Sequence, residues 1–108
     1  MEPVSWFLTG MEKHSDQYRS DLKGNAASFR DAFDIILPDF YAPSLQTAMN
    51  ELDNHDHSRF LTRTNGRVVV WRSLDIGRQR KNIDKAVLRE AVIMQMTLAG
   101  SAYLILWR

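Results

Sequence analysis

The sequence predicts an α+β fold with three N-terminal helices, a β-hairpin at about residues 59–72 and a long apolar C-terminal helix. Apolar residues recur at helical spacing before residue 53 and again after residue 82. Between these regions, two runs of β-favouring residues are joined by Asn65-Gly66, which is typical of a hairpin turn. The last six residues, 103–108, would either add a short final strand or extend the last helix.

Length and composition are those of one small globular domain covering residues 1–108. A chain of 108 residues buries roughly two-thirds of its unfolded surface, which is enough for one core. There is no cysteine, which excludes a disulfide framework and a thiolate metal site and fits a reducing cytoplasm. Glu2 and Pro3 stand where a secretory signal would carry positive charge, so we expect no export signal.

Local signals delimit the three N-terminal helices. Thr9-x-x-Glu12 matches a capping box and predicts a helix from Thr9 to about Lys23, ending at Gly24-Asn25. A second, core helix is predicted from Ala26 to Leu37, because Pro38 disfavours a helical residue before it. A third helix is expected to follow Pro43 and to fade at Asp53-Asn54. Its apolar residues recur at helical spacing: Leu45, Ala48, Met49 and Leu52.

The predicted hairpin has a register that its turn fixes. Counting outward from Asn65-Gly66 pairs Phe60 with Trp71 on one face, which provides a cross-strand aromatic contact against the core. On the other face Arg59 lies opposite Arg72. Like charges in that position are unfavourable unless an anion or an acidic side chain is close.

The fourth helix is expected from Ile83 to about Leu98, with Asn82 as its cap. It is apolar around most of its later turns, which indicates central burial or a contact shared with a partner chain. The uncharged stretch Ala91–Trp107 has seventeen residues and contains Gln95 and Gly100. A membrane span needs about 20 mainly apolar residues, so a membrane partner is not expected.

Charge divides unevenly along the chain, although the net charge is only +1. Residues 1–58 hold four basic and ten acidic residues, and residues 59–108 hold ten basic and three acidic residues. The acidic and basic halves therefore carry −6 and +7. This asymmetry suggests an anionic partner or head-to-tail self-association. Alternatively, the two halves fold onto each other and neutralise.

The predicted element order, three helices, a hairpin and a helix, resembles a winged helix-turn-helix. The resemblance implies that "PSLQTAMNELDNH" is a DNA-reading helix and that Arg63, Arg67 and Arg72 are wing contacts to phosphate. One departure disfavours groove reading. The third helix carries Glu51 and Asp53 and no Lys or Arg, and phosphates repel such a surface.

A second nucleic-acid mode uses the hairpin and the loop after it as a basic ridge. Arginines would contact phosphates while an exposed tryptophan stacks on unpaired bases. The candidate residues are Arg63, Arg67, Arg72, Arg78, Arg80, Lys81 and Trp71. The alternative is that these arginines are a solvated face or pair with the acidic half, and that Trp71 belongs to the core.

The chain offers weak signals for metal binding and none for catalysis. His55, Asp56 and His57 are the candidate metal ligands, but a closed site needs about four ligands, and polar residues in a turn are the better explanation. No nucleophile motif or glycine-rich phosphate loop is present, so neither an enzyme nor a cofactor is expected.

Two functional hypotheses follow from these patterns. The first is a small non-enzymatic protein, such as a regulator, that binds DNA or RNA through its basic hairpin and loop and forms a homo-oligomer, such as a dimer, through the fourth helix. The second is a protein-interaction or self-assembly module that uses opposed acidic and basic faces and the apolar C-terminal helix.

Overall fold

The computed structural model describes residues 2–15, 17–39, 41–52, 59–65 and 82–102. These residues form a mixed fold with five α-helices, one 3₁₀ turn and a two-stranded sheet. In chain order the elements are α1 (Glu2–Thr9), α2 (Ala26–Ile36), a 3₁₀ turn (Leu37–Asp39), α3 (Ala42–Thr47), β1 (Met49–Asn50), α4 (Phe60–Arg63), α5 (Lys85–Thr97) and β2 (Ser101–Ala102).

The first helix ends where the sequence predicted a start. Thr9 closes α1, because its hydroxyl donates to the Ser5 carbonyl oxygen and accepts from the Met11 N–H. The described residues after it form turns closed by an antiparallel bridge between Met11 and Tyr18. The capping-box prediction was therefore wrong. Residues 12–23 offer few apolar side chains to bury, and a helix with little tertiary packing is marginal in water.

The second helix was predicted at nearly its observed bounds. Asn25 caps α2 by accepting from the Ser28 N–H at 3.1 Å, and the 3₁₀ turn continues the helix through Pro38. The expectation that α2 is a core helix was too strong, since none of its residues is fully buried. It packs on one side only, with Phe29 against Phe7 and Trp6.

The third helix begins as predicted, with Pro43 in its first turn, but ends at Thr47. Met49 and Asn50 leave the helix to form β1, which pairs in parallel with β2. Tertiary hydrogen bonds account for the early end. The Gln95 side chain donates to the Asn50 carbonyl oxygen at 2.7 Å, and the Asn50 amide donates to carbonyl oxygens at the end of α5.

The first strand of the predicted hairpin is helical instead. Phe60–Arg63 forms α4, a single turn whose Thr62 and Arg63 N–H groups donate to the Arg59 carbonyl oxygen. A strand would point Phe60 and Arg63 to opposite faces, whereas a helical turn places residues three apart on one face, and both are buried here. The second predicted strand and the expected final strand, at 67–72 and 103–108, lie outside the described residues. The first strand of the wing that the winged-helix resemblance implies is therefore a helical turn.

The last helix, α5, begins later than expected. Asp84 caps it by accepting from the N–H groups of Ala86 and Val87, whereas Asn82 has a positive φ of 59°. Ala91 and Gln95 are fully buried, and Val87, Leu88, Val92, Met94 and Leu98 are partly buried against the core, so the helix packs along one broad face. Among the described helices, none has the length and apolarity needed to cross a membrane.

The core lies where α1, α4 and α5 meet. Its buried apolar side chains are Val4, Leu52, Phe60 and Ala91, and residues of α2 and α5 pack around them. The core therefore joins the acidic half of the chain to the basic half. Arg63, which the sequence predicted to contact phosphate, lies in this shared core.

Candidate functional site

Arg63 was predicted to contact phosphate, but it is fully buried, with an exposed fraction of 0%. Its Nη1 donates to the Ser5 Oγ at 2.7 Å, its Nη2 donates to the Leu52 carbonyl oxygen at 3.1 Å, and its guanidinium lies 5.5 Å from the centre of the Phe60 ring. In this position the guanidinium holds α1, the end of the acidic half and α4 together. A phosphate in solvent cannot reach it, so Arg63 is removed from the candidate phosphate contacts.

Ser5 extends this set of buried hydrogen bonds. Its hydroxyl accepts from Arg63 and donates to the Met11 carbonyl oxygen at 2.8 Å. The loop after α1 is thereby tied to the same guanidinium. Because every one of these groups is buried, the network stabilises the fold and does not form an open site.

The remaining predicted nucleic-acid contacts lie outside the described residues: Arg67, Trp71, Arg72, Arg78, Arg80 and Lys81. The same holds for the weak metal candidates His55, Asp56 and His57. In the part of the chain that the structure describes, no three His, Asp or Glu side chains are placed to hold a metal ion. These assignments therefore stay predictions.

Glu51, which disfavoured groove reading, lies in an ion pair with Lys13. The Lys13 Nζ is 3.0 Å from the Glu51 Oε1, and Lys13 is buried. The backbone N–H of Lys13 also donates to the Glu2 Oε1 at 2.6 Å. This pair fixes the loop after α1 against the segment that follows β1.

The exposed face of α5 combines positive charge with apolar surface. Lys85, Arg89, Ile93 and Met96 are all exposed and follow one another at spacings of four, four and three residues. These spacings place the four side chains in one stripe, opposite the buried pair Ala91 and Gln95, over about 16 Å of helix. Ile93 and Met96 are each 62% exposed. We call these four residues the α5 stripe.

Sequence reasoning missed Lys85 and Arg89 as candidate contacts. Their spacing of four residues on the polar side of a predicted helix was a usable signal. Met96 was instead expected to belong to an apolar surface that covers most of the later turns of the helix. Periodicity alone does not show how many neighbours a helix will have, and among the described residues α5 packs through one side.

A second apolar surface lies at the C-terminal end of α2 and in the residues that follow it. Ile35 and Tyr41 are 71% and 77% exposed, and Ile36 and Leu37 are partly exposed between them. Isolated apolar residues on a surface are ordinary, whereas a group of exposed large apolar residues favours a contact surface. We call these residues the α2 apolar surface.

The pKa shifts that are resolved lie away from both surfaces. The Arg19 guanidinium donates to both carboxylate oxygens of Asp21, at 3.0 and 2.8 Å. Hydrogen bonds from Arg19 lower the pKa of Asp21 below its ordinary value of 3.8, and the pKa of Arg19 is raised by the same contact. Both groups are exposed and belong to a turn, so they mark a local ion pair and not a reactive site.

Comparison with known proteins supplies no family for this chain: no family model, no curated protein and no solved structure matches it.

Proposed function

We propose that the protein is a small non-enzymatic, nucleic-acid-associated protein that self-associates through α5 and works in the cytoplasm. The observation that carries this proposal is the α5 stripe, in which two cations are followed by two exposed apolar residues. If Ile93 and Met96 of two copies meet with the two helices parallel, Lys85 and Arg89 of both copies lie on one side of the contact. The paired cations would then form a surface suited to a phosphate backbone.

Arg67, Arg72, Arg78, Arg80 and Lys81 remain predicted contacts in addition to this surface. Arg63 is left out, because burial removes it from solvent. The basic half carries +7 by sequence, so the charge that remains still favours an anionic partner.

Nucleic-acid binding is tested by fluorescence anisotropy with labelled single-stranded and duplex DNA and RNA, at about 50 mM and about 200 mM salt. We expect the double variant Lys85→Glu/Arg89→Glu to bind at least roughly tenfold more weakly and to lower the salt slope by about one per lost phosphate contact.

The matched control for this experiment is Lys23→Glu/Arg30→Glu. It makes the same change in net charge at two exposed positions of the acidic half and should leave most of the affinity intact. If both variants lose the same affinity for nucleic acid, net charge alone explains the loss. Undetectable binding of every probe at the lower salt concentration would refute the nucleic-acid proposal.

Self-association is tested by sedimentation velocity over a range of protein concentrations. The variant Ile93→Ser/Met96→Ser should be monomeric where the unmodified protein associates, because an interface loses most of its stability when its buried apolar anchors are removed. The matched control is Ile35→Ser/Met49→Ser, which makes the same two substitutions at positions with 71% and 59% exposure.

The second candidate function is a protein-interaction or self-assembly module, and the α2 apolar surface is the observation that favours it. If the Ile35→Ser/Met49→Ser variant loses association while Ile93→Ser/Met96→Ser keeps it, the contact does not use α5. Association that weakens with salt would then indicate opposed acidic and basic faces. A monomeric protein at every concentration and salt would count against both forms of self-association.

A further inference from the structure

A distinct apolar groove opens between α2, α3 and the end of α5. Its volume is about 200 Å³. None of its described lining residues is charged, and the side chains that form its walls are mostly apolar. The principal ones are Phe33, Ile36, Leu45, Leu98 and Ala99. Asn50 also lines the groove and is the polar side chain there.

The Asn50 amide is held in one orientation. Its Nδ2 donates to the Ala99 carbonyl oxygen at 2.9 Å and to the Leu98 carbonyl oxygen at 3.3 Å. The residue is 92% buried, since its exposed fraction is 8%. Among the described residues no donor contacts the Asn50 Oδ1, so this oxygen remains as an acceptor.

Gly100 allows this close arrangement. Its φ is +121°, and a Cβ at this position would lie 2.6 Å from the Ala48 carbonyl oxygen and 2.8 Å from the Asn50 Nδ2. Only glycine adopts such a backbone conformation readily and admits so close an approach. The Asn50 amide is therefore a polar group held in a fixed position within the apolar wall of the groove.

Volume and charge together define the ligand. A cavity of roughly 150 Å³ lined by apolar side chains is large enough to bind benzene, so the groove accepts a ring of about that size or slightly larger. Charged ligands are disfavoured, because the wall offers no opposite charge to offset the loss of their hydration. A donor on the ligand would satisfy the Asn50 Oδ1, as expected for a pocket with few, well-placed polar groups.

We propose that this groove is a binding site for a neutral, ring-sized apolar molecule that carries one N–H or O–H donor, with that donor on the Asn50 Oδ1. The site is separate from the α5 stripe and does not depend on the proposed function. Indole is a suitable probe. Indene has nearly the same shape and lacks the donor, so the pair isolates the hydrogen bond without any change to the protein.

The test is a titration followed by two-dimensional NMR of the full chain. Indole should bind saturably and shift the resonances of groove residues, including the Asn50 side-chain amide. Indene should bind about fivefold more weakly, the loss that corresponds to one neutral hydrogen bond. Ala48→Leu places a larger side chain in the groove and should weaken the binding of indole at least roughly tenfold. Ala86→Leu makes the same change at an exposed position of α5 and should not.

Three results would overturn the proposal. Failure of both probes to saturate would mean that the groove does not bind rings. Equal affinities of indole and indene would remove the role of Asn50. Groove resonances that shift with protein concentration in the absence of any probe would make the groove a contact between two copies of the chain.

Discussion

Replacing Arg63 by methionine should destabilise the protein strongly, because methionine fills much of the same volume but donates no hydrogen bond. Two buried acceptors, the Ser5 Oγ and the Leu52 carbonyl oxygen, then lose their donor. A hydrogen bond to a charged group contributes about 1.5–3 kcal/mol, and a methionine recovers part of this because no charge must be buried. We expect the free energy of unfolding to fall by about 3 kcal/mol.

That loss is large for a domain of 108 residues, whose total stability is of the order of 5–15 kcal/mol. Urea unfolding followed by tryptophan fluorescence and circular dichroism measures it directly, and thermal unfolding should show a decrease in Tm of more than about 10 °C. The matched control is Arg59→Met, at an exposed arginine that makes no side-chain cap. This control should stay within about 0.5 kcal/mol of the unmodified protein.

A double-mutant cycle tests whether the loss comes from the described contact. Ser5→Ala and Arg63→Met should be coupled by about 1–2 kcal/mol, because each removes one side of the same hydrogen bond. An Arg63→Met protein as stable as the Arg59→Met control would refute the buried network. Additive effects of Ser5→Ala and Arg63→Met would refute the specific contact between them.

Three further predictions concern local features. Gly100→Ala should cost more than about 2 kcal/mol in urea unfolding, whereas Gly24→Ala, at φ +69° with open space around it, should cost about 1 kcal/mol; equal costs would contradict the close approach at Gly100. Asp84→Ala should lower stability by about 1 kcal/mol through loss of the α5 cap, and no change in helix content or midpoint would contradict it. The pKa of Asp21 is lowered in the folded protein, so its contribution is complete above the ordinary pKa of 3.8 and is lost as pH falls through the lower folded pKa. NMR titration should show this pKa rise in Arg19→Gln, and an unchanged value would contradict the ion pair.

Local signals predicted some of the helices well. Pro38 was expected to end the second helix, and α2 ends two residues before it, because a proline acts on the residues next to it. Asn25 was predicted to end the first helix and instead caps α2. Pro43 marked the start of α3. The apolar periodicity after Asn82 indicated α5, although its cap is Asp84.

Other local signals were ambiguous. A threonine hydroxyl can accept from an N–H at the start of a helix or after its end, and Thr9 does the latter. The β-favouring run at residues 59–64 was outweighed by burial of Phe60 and Arg63 on one face of a helical turn. The contacts that decide this are distant in sequence, since Arg63 and Ser5 are 58 residues apart.

The candidate site was the least predictable part, because a count of charges does not show which charges face solvent. Arg63 contributes to the net charge of +7 in the basic half, yet its side chain is buried in the interior. Lys85 and Arg89 are exposed on one face of α5. The two roles separate experimentally. Arg63→Met should lower the free energy of unfolding and leave the affinity of the folded fraction for nucleic acid unchanged, because a buried cation contributes little to a phosphate at the surface. Lys85→Glu/Arg89→Glu should do the reverse, since exposed side chains of a helix contribute little to stability but dominate phosphate contacts. If both variants lowered affinity in proportion to the fraction unfolded, the α5 stripe would have no binding role of its own.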